Sequence, residues 1–411
     1  MHSNRCLAGG VAALLAAFAI TACSSDNKVT GGRPVDPLFK TYVSIGNSIT
    51  AGFQSGGIND STQNQSYAVL IARAANTGFR IPLLNRPGCP PPVDNLLTQH
   101  RVGGGTASSC ALRTPASTPG ALNNVAVPGA TSLSPTGAVP GPDTLVENAL
   151  TTFILGGETQ AQRAAEAQPT FVSAWIGNND VLNASLTGIL PATPGISDGV
   201  TDIAAFTTNY KNLVTALKGI PSIKGGVLIG VVNTVNVPLL FPAAALYNPA
   251  VKGAFDAVAG ATTTIDPTTC PPTTTSLLNF QLAAAIRAGT HPPTVFCEAL
   301  PAPFQPLGNV YVLDAAEQAA VTDTVNAYNA LIAAEADTLG FAFFDPNPEF
   351  LARRAAGDIP IFPDLAHPGS AFGQYFSLDG VHPAAAASVV LANDIIDAIN
   401  AKYGTSVPHT Q

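Results

Sequence analysis

Four short apolar runs recur along the chain: Thr41–Gly46, Phe171–Gly177, Gly226–Asn233 and Phe341–Asp345. Each is a stretch of consecutive apolar residues and not an alternation of apolar and polar ones. Continuous apolar runs are typical of strands that are covered on both faces, as in parallel sheets. The pattern therefore predicts four buried strands.

Helical patterns fill the intervals between these runs. The clearest predicts a helix over Ala315–Leu339, with apolar positions at +4, +3 and +4 spacing: Val321, Val325, Tyr328 and Ile332. Asp314 and Glu317 form a capping-box pattern at its start, and Gly340 is placed to end it. A last helix is predicted over Ala384–Tyr403. Alternating strands and helices predict a three-layer α/β/α domain with a mainly parallel central sheet.

The composition limits the classes of function. Hydrophobic residues make up 46% of the 411 residues, enough to bury a large core, and only 11% are charged. The formal net charge of -8 argues against nucleic acid as a partner, because nucleic-acid binders need a basic surface.

The N-terminus has the features of a targeting segment. Residues 1–22 contain a small apolar run that is too short to span a bilayer comfortably, and the run ends at Thr21-Ala22-Cys23. This ending resembles the lipobox of bacterial lipoproteins. The resemblance implies cleavage before Cys23, a lipid on its sulfur, and a lipid-anchored protein of the bacterial cell envelope, on the outer membrane or the periplasmic face. The alternative is an ordinary secretory signal with a chance cysteine.

Residues 23–37 then form a lipidated cysteine and a polar tether, and residues 38–404 form the folded domain, followed by a short tail over 405–411. The Pro/Thr-rich segment Leu239–Val310 interrupts the alternation of strands and helices, so it is predicted to be an insertion. No other segment is predicted to cross a membrane.

Four cysteines remain beyond those of the targeting segment and the lipobox: Cys89, Cys110, Cys270 and Cys297. None forms a C-x-x-C pair, so a metal site is not predicted. In an exported protein two disulfides are expected. Four cysteines allow three pairings, of which proximity in sequence favours Cys89–Cys110 and Cys270–Cys297.

Polar residues form four blocks in the chain. Two directly follow predicted strands: Gly46-Asn47-Ser48-Ile49-Thr50-Ala51-Gly52 and Gly177-Asn178-Asn179-Asp180. The other two are Asn124-Val125-Ala126-Val127-Pro128-Gly129-Ala130 and, near the end, Ser377-Leu378-Asp379-Gly380-Val381-His382-Pro383. Ligand-handling groups of parallel sheets gather beyond the carboxyl ends of the strands. A serine nucleophile needs a base, and the base needs an orienting acid. His382 has a carboxylate three residues before it, Asp379, which can accept from Nδ1–H and leave Nε2 for a serine.

Each block has a simpler interpretation when it is taken alone. Ser48 could cap the helix that follows the first strand, and Asn179 could form a turn. Asp379 with His382 could be a helix cap and a surface histidine. These alternatives weaken only when the four blocks are considered together and in order.

Together the blocks resemble the SGNH hydrolase family, also called GDSL esterases and lipases. The family's Ser, Gly, Asn and His correspond to Ser48, Gly129, Asn179 and His382, and Asp379 completes its D-x-x-H pair. The resemblance implies a flavodoxin-like α/β/α fold and a Ser48–His382–Asp379 triad. It also implies an oxyanion hole made by Ser48, Gly129 and Asn179, and no cofactor or metal. Asn47 and Ile49 depart from the Asp and Leu of the name motif.

The leading functional hypothesis is thus a serine carboxylic ester hydrolase that acts on a small-molecule or lipid ester. Among enzymes, the alternative is a carbohydrate O-deacetylase of the same family. Among proteins without catalytic activity, the alternative is a surface lipoprotein that binds a ligand. The sequence leaves the oligomeric state open. We expect Leu239–Val310 to wall or cap the acyl pocket, the alternative being a surface excursion without a role in selectivity.

Overall fold

The computed structural model describes residues 35–112, 121–137, 149–188, 199–298 and 310–411. The predicted signal peptide, Cys23 and the tether up to residue 34 lie outside these residues. Pro37–Phe39 form a short 3-10 turn, and Phe39 is already buried in the core. No helix within the described ranges is long and apolar enough to cross a membrane.

The described residues form strands and helices in the following order. The strands are β1 Tyr42–Gly46, β2 Val93–Asn95, β3 His100–Arg101, β4 Phe171–Trp175, β5 Gly225–Ile229, β6 Leu240–Pro242, β7 Thr264–Ile265, β8 Leu277–Asn279, β9 Thr294–Val295, β10 Val312–Leu313 and β11 Ala342–Phe344. The helices are α1 Ser48–Ala51, α2 Asp60–Gln63, α3 Tyr67–Ala74, α4 Ala149–Leu155, α5 Gln160–Glu166, α6 Asn179–Thr187, α7 Ile203–Lys218, α8 Pro249–Ala259, α9 Gln281–Arg287, α10 Ala315–Leu339, α11 Asn347–Ala355 and α12 Ala385–Tyr403.

A parallel sheet in the order β1-β4-β5-β11 forms the centre of the domain. Its four strands are those that the apolar runs predict, with bounds that differ by one to four residues. Residues 123–127 extend the sheet beyond β1, since Ser44 N–H donates to Asn123 O at 2.7 Å and Val125 N–H donates to Ser44 O at 3.0 Å. The segment that leads to Gly129 therefore runs beside β1.

Helices cover both faces of the sheet, which confirms the three-layer α/β/α architecture. Val43 and Ile45 of β1 pack in one hydrophobic cluster with α4, α7 and α10, whereas Tyr42 packs in another with α3 and α12. β4 and β5 divide their side chains between the same two clusters. Because both faces of the sheet are buried, neither face of a strand is exposed to solvent. This explains why the strand sequences are apolar without a polar alternation.

The long helix α10 has the predicted bounds and caps. The Asp314 carboxylate accepts from the backbone N–H of Ala316 at 2.8 Å and of Glu317 at 2.9 Å, and Glu317 returns a bond to Asp314 N–H. Gly340 ends the helix in the left-handed conformation at φ 68°. The last helix begins at Ala385, one residue later than predicted.

Residues 237–298, together with Val312 and Leu313 of β10, build a separate hydrophobic cluster around a small antiparallel sheet, β10-β8-β6, with α8 and α9 packed on it. The Cys270–Cys297 disulfide is buried inside this cluster. A second disulfide joins Cys89 to Cys110. The pairing favoured by proximity is therefore the one present.

We predict that replacing both Cys270 and Cys297 by alanine lowers the free energy of unfolding by about 3 to 4 kcal/mol. The bridge closes a loop with a sequence separation of 27 residues, and opening it restores chain entropy to the unfolded state. Urea denaturation of the purified double variant and the wild type measures the difference. A loss below about 1 kcal/mol would show that the buried bridge does not constrain the unfolded chain in this way.

Candidate active site

Ser48 stands at the turn where β1 passes directly into α1. A Cβ at Gly46 would lie 2.2 Å from Thr50 Oγ1 and 3.0 Å from Trp175 O, so this turn accommodates only glycine. The Asn47 side chain accepts from Ile49 N–H at 3.0 Å and caps the helix. Asn47 thus holds the first turn that carries Ser48, although the name motif has Asp at this position.

Asp379 and His382 occupy a tight turn just before α12. Ser377 N–H donates to His382 O at 2.9 Å, and Gly380 N–H donates to Ser377 O at 2.9 Å. Gly380 adopts φ 65°, a conformation that favours glycine. The turn places the two side chains on the same side, facing the end of β1.

The structure joins Ser48, His382 and Asp379 in one hydrogen-bonded chain. His382 Nε2 lies 2.8 Å from Ser48 Oγ, and His382 Nδ1 lies 2.9 Å from Asp379 Oδ2. These bonds fit the neutral imidazole in which Nδ1–H donates to the carboxylate and Nε2 accepts from the serine hydroxyl. Ser48 and His382 are 334 positions apart in sequence, so the tertiary fold brings them into contact.

The carboxylate of Asp379 is held in its charged form. Burial alone would raise the pKa of Asp379, but the charge of His382 and the hydrogen bonds from His382 and Gly56 outweigh it. The pKa of Asp379 therefore lies well below its ordinary value. Asp379 stays ionised throughout the pH range in which a histidine changes its charge.

Asn179 and Gly129 lie next to this chain of hydrogen bonds in different ways. Asn179 opens α6 after β4, and its Nδ2 donates to Ala130 O at 2.8 Å, which ties it to the residue after Gly129. Gly129 is exposed and has φ 90°. Val127 N–H donates to Gly46 O at 3.1 Å, which sets Gly129 beside the end of β1. The structure thus brings all five predicted site residues to the same edge of the sheet.

One family model matches most of the chain. Residues 42–395 match the family model of GDSL-like lipases and acylhydrolases, a span that contains all five residues. The chain belongs to this family. It is accordingly a hydrolase of ester bonds, and the resemblance inferred from the four blocks is confirmed. No curated protein matches the chain.

Two solved structures share low similarity with this GDSL-family chain. One is an alpha/beta hydrolase enzyme from the metagenome of Lake Arreo, 15% identical with a TM-score of 0.34, covering 87% of this chain and 94% of the other. The second is a mutant of an acetyl-xylooligosaccharide esterase from Geobacillus, 15% identical with a TM-score of 0.35, covering 90% of this chain and 100% of the other.

A cavity of about 850 Å³, counted out to its open mouth, begins at Ser48 and His382. Its polar lining includes Asn178, Asn179, Thr234 and Tyr375, together with an ion pair between Glu349 and Arg353 at 2.6 Å. The rest of the wall is apolar and comprises Ile49, Trp175, Leu182, Val232, Val237, Pro346, Phe350, Ile359, Phe376, Val381, Pro383, Ala387, Val390 and Leu391. The site therefore combines a nucleophile with a largely apolar pocket.

The expectation that Leu239–Val310 walls this pocket is wrong for the part that the structure describes. None of the described residues from 239 to 298 lines the cavity, whose wall includes residues of α11 and of the segment after it, up to Phe376. The reason lies in the short link after β5. Val232, Thr234 and Val237 reach the cavity, and the chain then turns away into its own cluster at β6.

The cluster instead supports the turn that holds Asp379. Leu239 N–H donates to Gly380 O at 2.9 Å, and Phe376 and Val381, which line the cavity, also pack against the cluster. Its contribution to the site is therefore indirect.

Sequence reasoning missed the segment that covers the other side of the turn. The ring of Phe53 packs on His382 with centroids 5.0 Å apart, and Gly56 N–H donates to Asp379 Oδ2 at 2.8 Å. Arg101 donates to Gly56 O at 2.9 Å and braces that backbone. These contacts join residues far apart in sequence, so no local pattern could have indicated them.

We predict that Gly380→Ala lowers both turnover and stability. A Cβ there would lie 2.8 Å from Phe372 Cζ and 2.9 Å from Leu239 N, and alanine disfavours φ 65°. Because the turn must shift, we expect ester hydrolysis to fall by at least about tenfold, as misplaced groups lose rate steeply. Hydrolysis rates and melting temperatures measure the two effects.

Gly404→Ala is the matched control, because Gly404 has φ 64° and nothing within 4 Å of its would-be Cβ. It should show the backbone strain without the clash and keep its activity. Equal activity in the two variants would contradict the role of the close packing around Gly380.

Proposed function

We propose that this GDSL-family hydrolase is a serine carboxylic ester hydrolase in which Ser48, His382 and Asp379 act as a triad. The observation that supports this proposal most strongly is the continuous chain of hydrogen bonds from Ser48 Oγ through His382 to Asp379. Ser48 Oγ attacks the ester carbonyl while His382 Nε2 takes the hydroxyl proton. His382 then gives that proton to the leaving alcohol, and an acyl-serine remains.

Water completes the reaction by the same route. His382 takes a proton from water as its oxygen attacks the acyl carbonyl, and returns the proton to Ser48 Oγ as the acid leaves. Asp379 orients the imidazole and stabilises the imidazolium in both halves. The low pKa of Asp379 suits this role, because the carboxylate keeps its charge while the imidazole gains and loses a proton.

The oxyanion that forms in each half would be stabilised by the backbone N–H groups of Ser48 and Gly129 and by the Asn179 side chain. Asn179 uses one N–H to bind Ala130 O, which leaves its second N–H for the oxyanion. Removing one such donor typically costs about 10² to 10³ in turnover.

The cavity supports an apolar acyl group as the part of the substrate that is bound. The cavity opens beside Ser48, and most of the side chains in its wall are aliphatic or aromatic. An acetyl group would leave most of this apolar surface uncovered. The observation therefore favours an ester of a longer acyl chain over the O-deacetylase alternative.

We predict that Ser48→Ala and His382→Ala each reduce hydrolysis of p-nitrophenyl esters to below about 1% of wild type, because each loss breaks the proton path. Asp379→Asn should also be severe, since an amide lets the imidazole take the wrong tautomer. Steady-state kinetics on esters of graded chain length measure both effects, with thermal melting to confirm folding.

His367→Ala is the matched control. His367 pairs with Asp364 at 2.7 Å with the same three-residue spacing, but its side chain is 73% exposed and it lies outside the cavity lining. It should retain full activity. Substantial hydrolysis by folded Ser48→Ala would exclude Ser48 as the nucleophile.

We also propose that the mature chain is a lipoprotein anchored to the bacterial cell envelope through Cys23. Support comes from the lipobox-like ending Thr21-Ala22-Cys23 and the polar residues that follow it. A lipid anchor on this tether would hold the hydrolase near a membrane without a spanning helix.

Cys23→Ala is expected to release the chain from membranes while leaving its specific activity unchanged, because the lipid has no part in the ester chemistry. Metabolic labelling with palmitate and membrane fractionation in a bacterial host measure the change. Cys6→Ala is the control within residues 1–22 and should still be labelled. Absence of label on the wild-type chain would refute the anchor.

A further inference from the structure

The carboxylate of Asp379 is surrounded by five hydrogen-bond donors. Oδ1 accepts from the backbone N–H groups of Val381 at 2.9 Å and His382 at 2.8 Å, and from Ser377 Oγ at 3.0 Å. Oδ2 accepts from Gly56 N–H at 2.8 Å and from the His382 ring at 2.9 Å. Four of these donors are backbone or ring groups, and Ser377 supplies the only hydroxyl among them.

Ser377 also joins the turn to a second segment. Its hydroxyl oxygen accepts from Ser55 N–H at 2.8 Å, while Ser55 Oγ accepts from Leu378 N–H at 3.0 Å. Ser55 is therefore joined by two hydrogen bonds to the adjacent residues Ser377 and Leu378, across a separation of more than 300 residues. Ser377 is buried, with 6% of its surface exposed, so water cannot easily replace these bonds.

The segment on the other side is itself fixed. Ser55 adopts φ 54°, unusual for a residue with a side chain, and its carbonyl accepts from Val93 N–H at 2.8 Å. Arg101 donates to the carbonyl of Gly56. The Ser55–Gly56 backbone is thus a rigid platform that presents one N–H to Ser377 and the next N–H to Asp379 Oδ2.

We infer that Ser377 is a positioning residue for Asp379. Its hydroxyl links the Ser55–Gly56 platform to the carboxylate, so that Oδ2 points at His382 Nδ1 and the imidazole at Ser48. The inference rests on the proposed triad, since it concerns the orientation of its acid. Ser377 lies outside the cavity lining, so it does not touch the substrate.

Removing the Ser377 hydroxyl has two consequences in this geometry. Oδ1 loses one of its three donors, and Ser55 N–H loses its buried acceptor. The carboxylate can then rotate away from Nδ1, which weakens proton transfer in the transition state while substrate binding is unaffected. The expected signature is a fall in kcat with KM unchanged.

The test compares Ser377→Ala with Ser377→Thr, which keeps the hydroxyl. We expect Ser377→Ala to lower kcat about tenfold, as is usual for the loss of a bond to a charged group, and Ser377→Thr to restore most of it. Low-field proton NMR of the His382 Nδ1–H, assigned with His382→Ala, should show that signal broadened or lost in Ser377→Ala and present in Ser377→Thr.

Ser173→Ala is the matched control, because Ser173 is a fully buried serine of β4 whose hydroxyl bonds to Tyr42 and Ser44, away from the turn. It should lose stability but keep kcat and the low-field signal. Wild-type kcat in Ser377→Ala, or an equal loss in Ser173→Ala, would overturn the inference.

If Ser377→Ala does not fold, Ser55→Gly tests the link between the Ser55–Gly56 platform and the turn. Glycine accepts φ 54° without strain, and the change removes only the acceptor for Leu378 N–H. A smaller fall in kcat with KM unchanged is expected, and wild-type kcat would count against the inference. An active Ser48→Ala would instead refute the proposed triad itself.

Discussion

β1 and β4 pair in parallel with Gly46 opposite Trp175, and this register determines where the chemistry can occur. Both strands end at the same edge of the sheet. A helix begins shortly after each of them, α1 at Ser48 and α6 at Asn179. A shift of one residue would turn the strands' side chains to the wrong clusters, so burial on both faces protects the register. The sheet core thus brings Ser48 and Asn179 to the same edge, and local hydrogen bonds then hold them there.

His382 and Asp379 reach the same edge by a different route. They belong to a turn before α12, and α12 is anchored against the sheet by its apolar face, which contains Ala392, Ile395, Ile396 and Ile399. The helix fixes the direction from which the turn approaches, but a turn of six residues has freedom of its own. That freedom is removed by contacts from two separate parts of the chain: the segment Phe53–Gly56 and Leu239.

These differences explain what the sequence could predict. Each central strand is encoded by its own apolar run, and α10 by its capping box and final glycine, so local patterns were sufficient there. The Ser48 and Asn179 blocks follow from the rule that polar groups collect at strand ends, and the Asp379/His382 pair follows from its three-residue spacing. The family resemblance strengthens all three. The support from Ser55, Ser377 and Arg101 depends on pairings between distant residues, which no periodicity reveals. Ser377 stood two residues before Asp379, but nothing in a single sequence distinguishes its hydroxyl from that of any other serine.

The pocket wall is a second feature that the sequence could not predict. A long loop that leaves the carboxyl end of β5 was a reasonable candidate for a cap, but its described part folds around its own disulfide and small sheet, and so has little apolar surface left for a substrate. Part of the wall is built instead by α11 and the segment up to Phe376, which continue directly into the turn that holds Asp379. Phe376 lines the cavity, and its neighbour Ser377 binds the carboxylate. Consecutive residues of one segment therefore serve two purposes, since one side chain forms part of the cavity wall and the next orients the acid of the proposed triad.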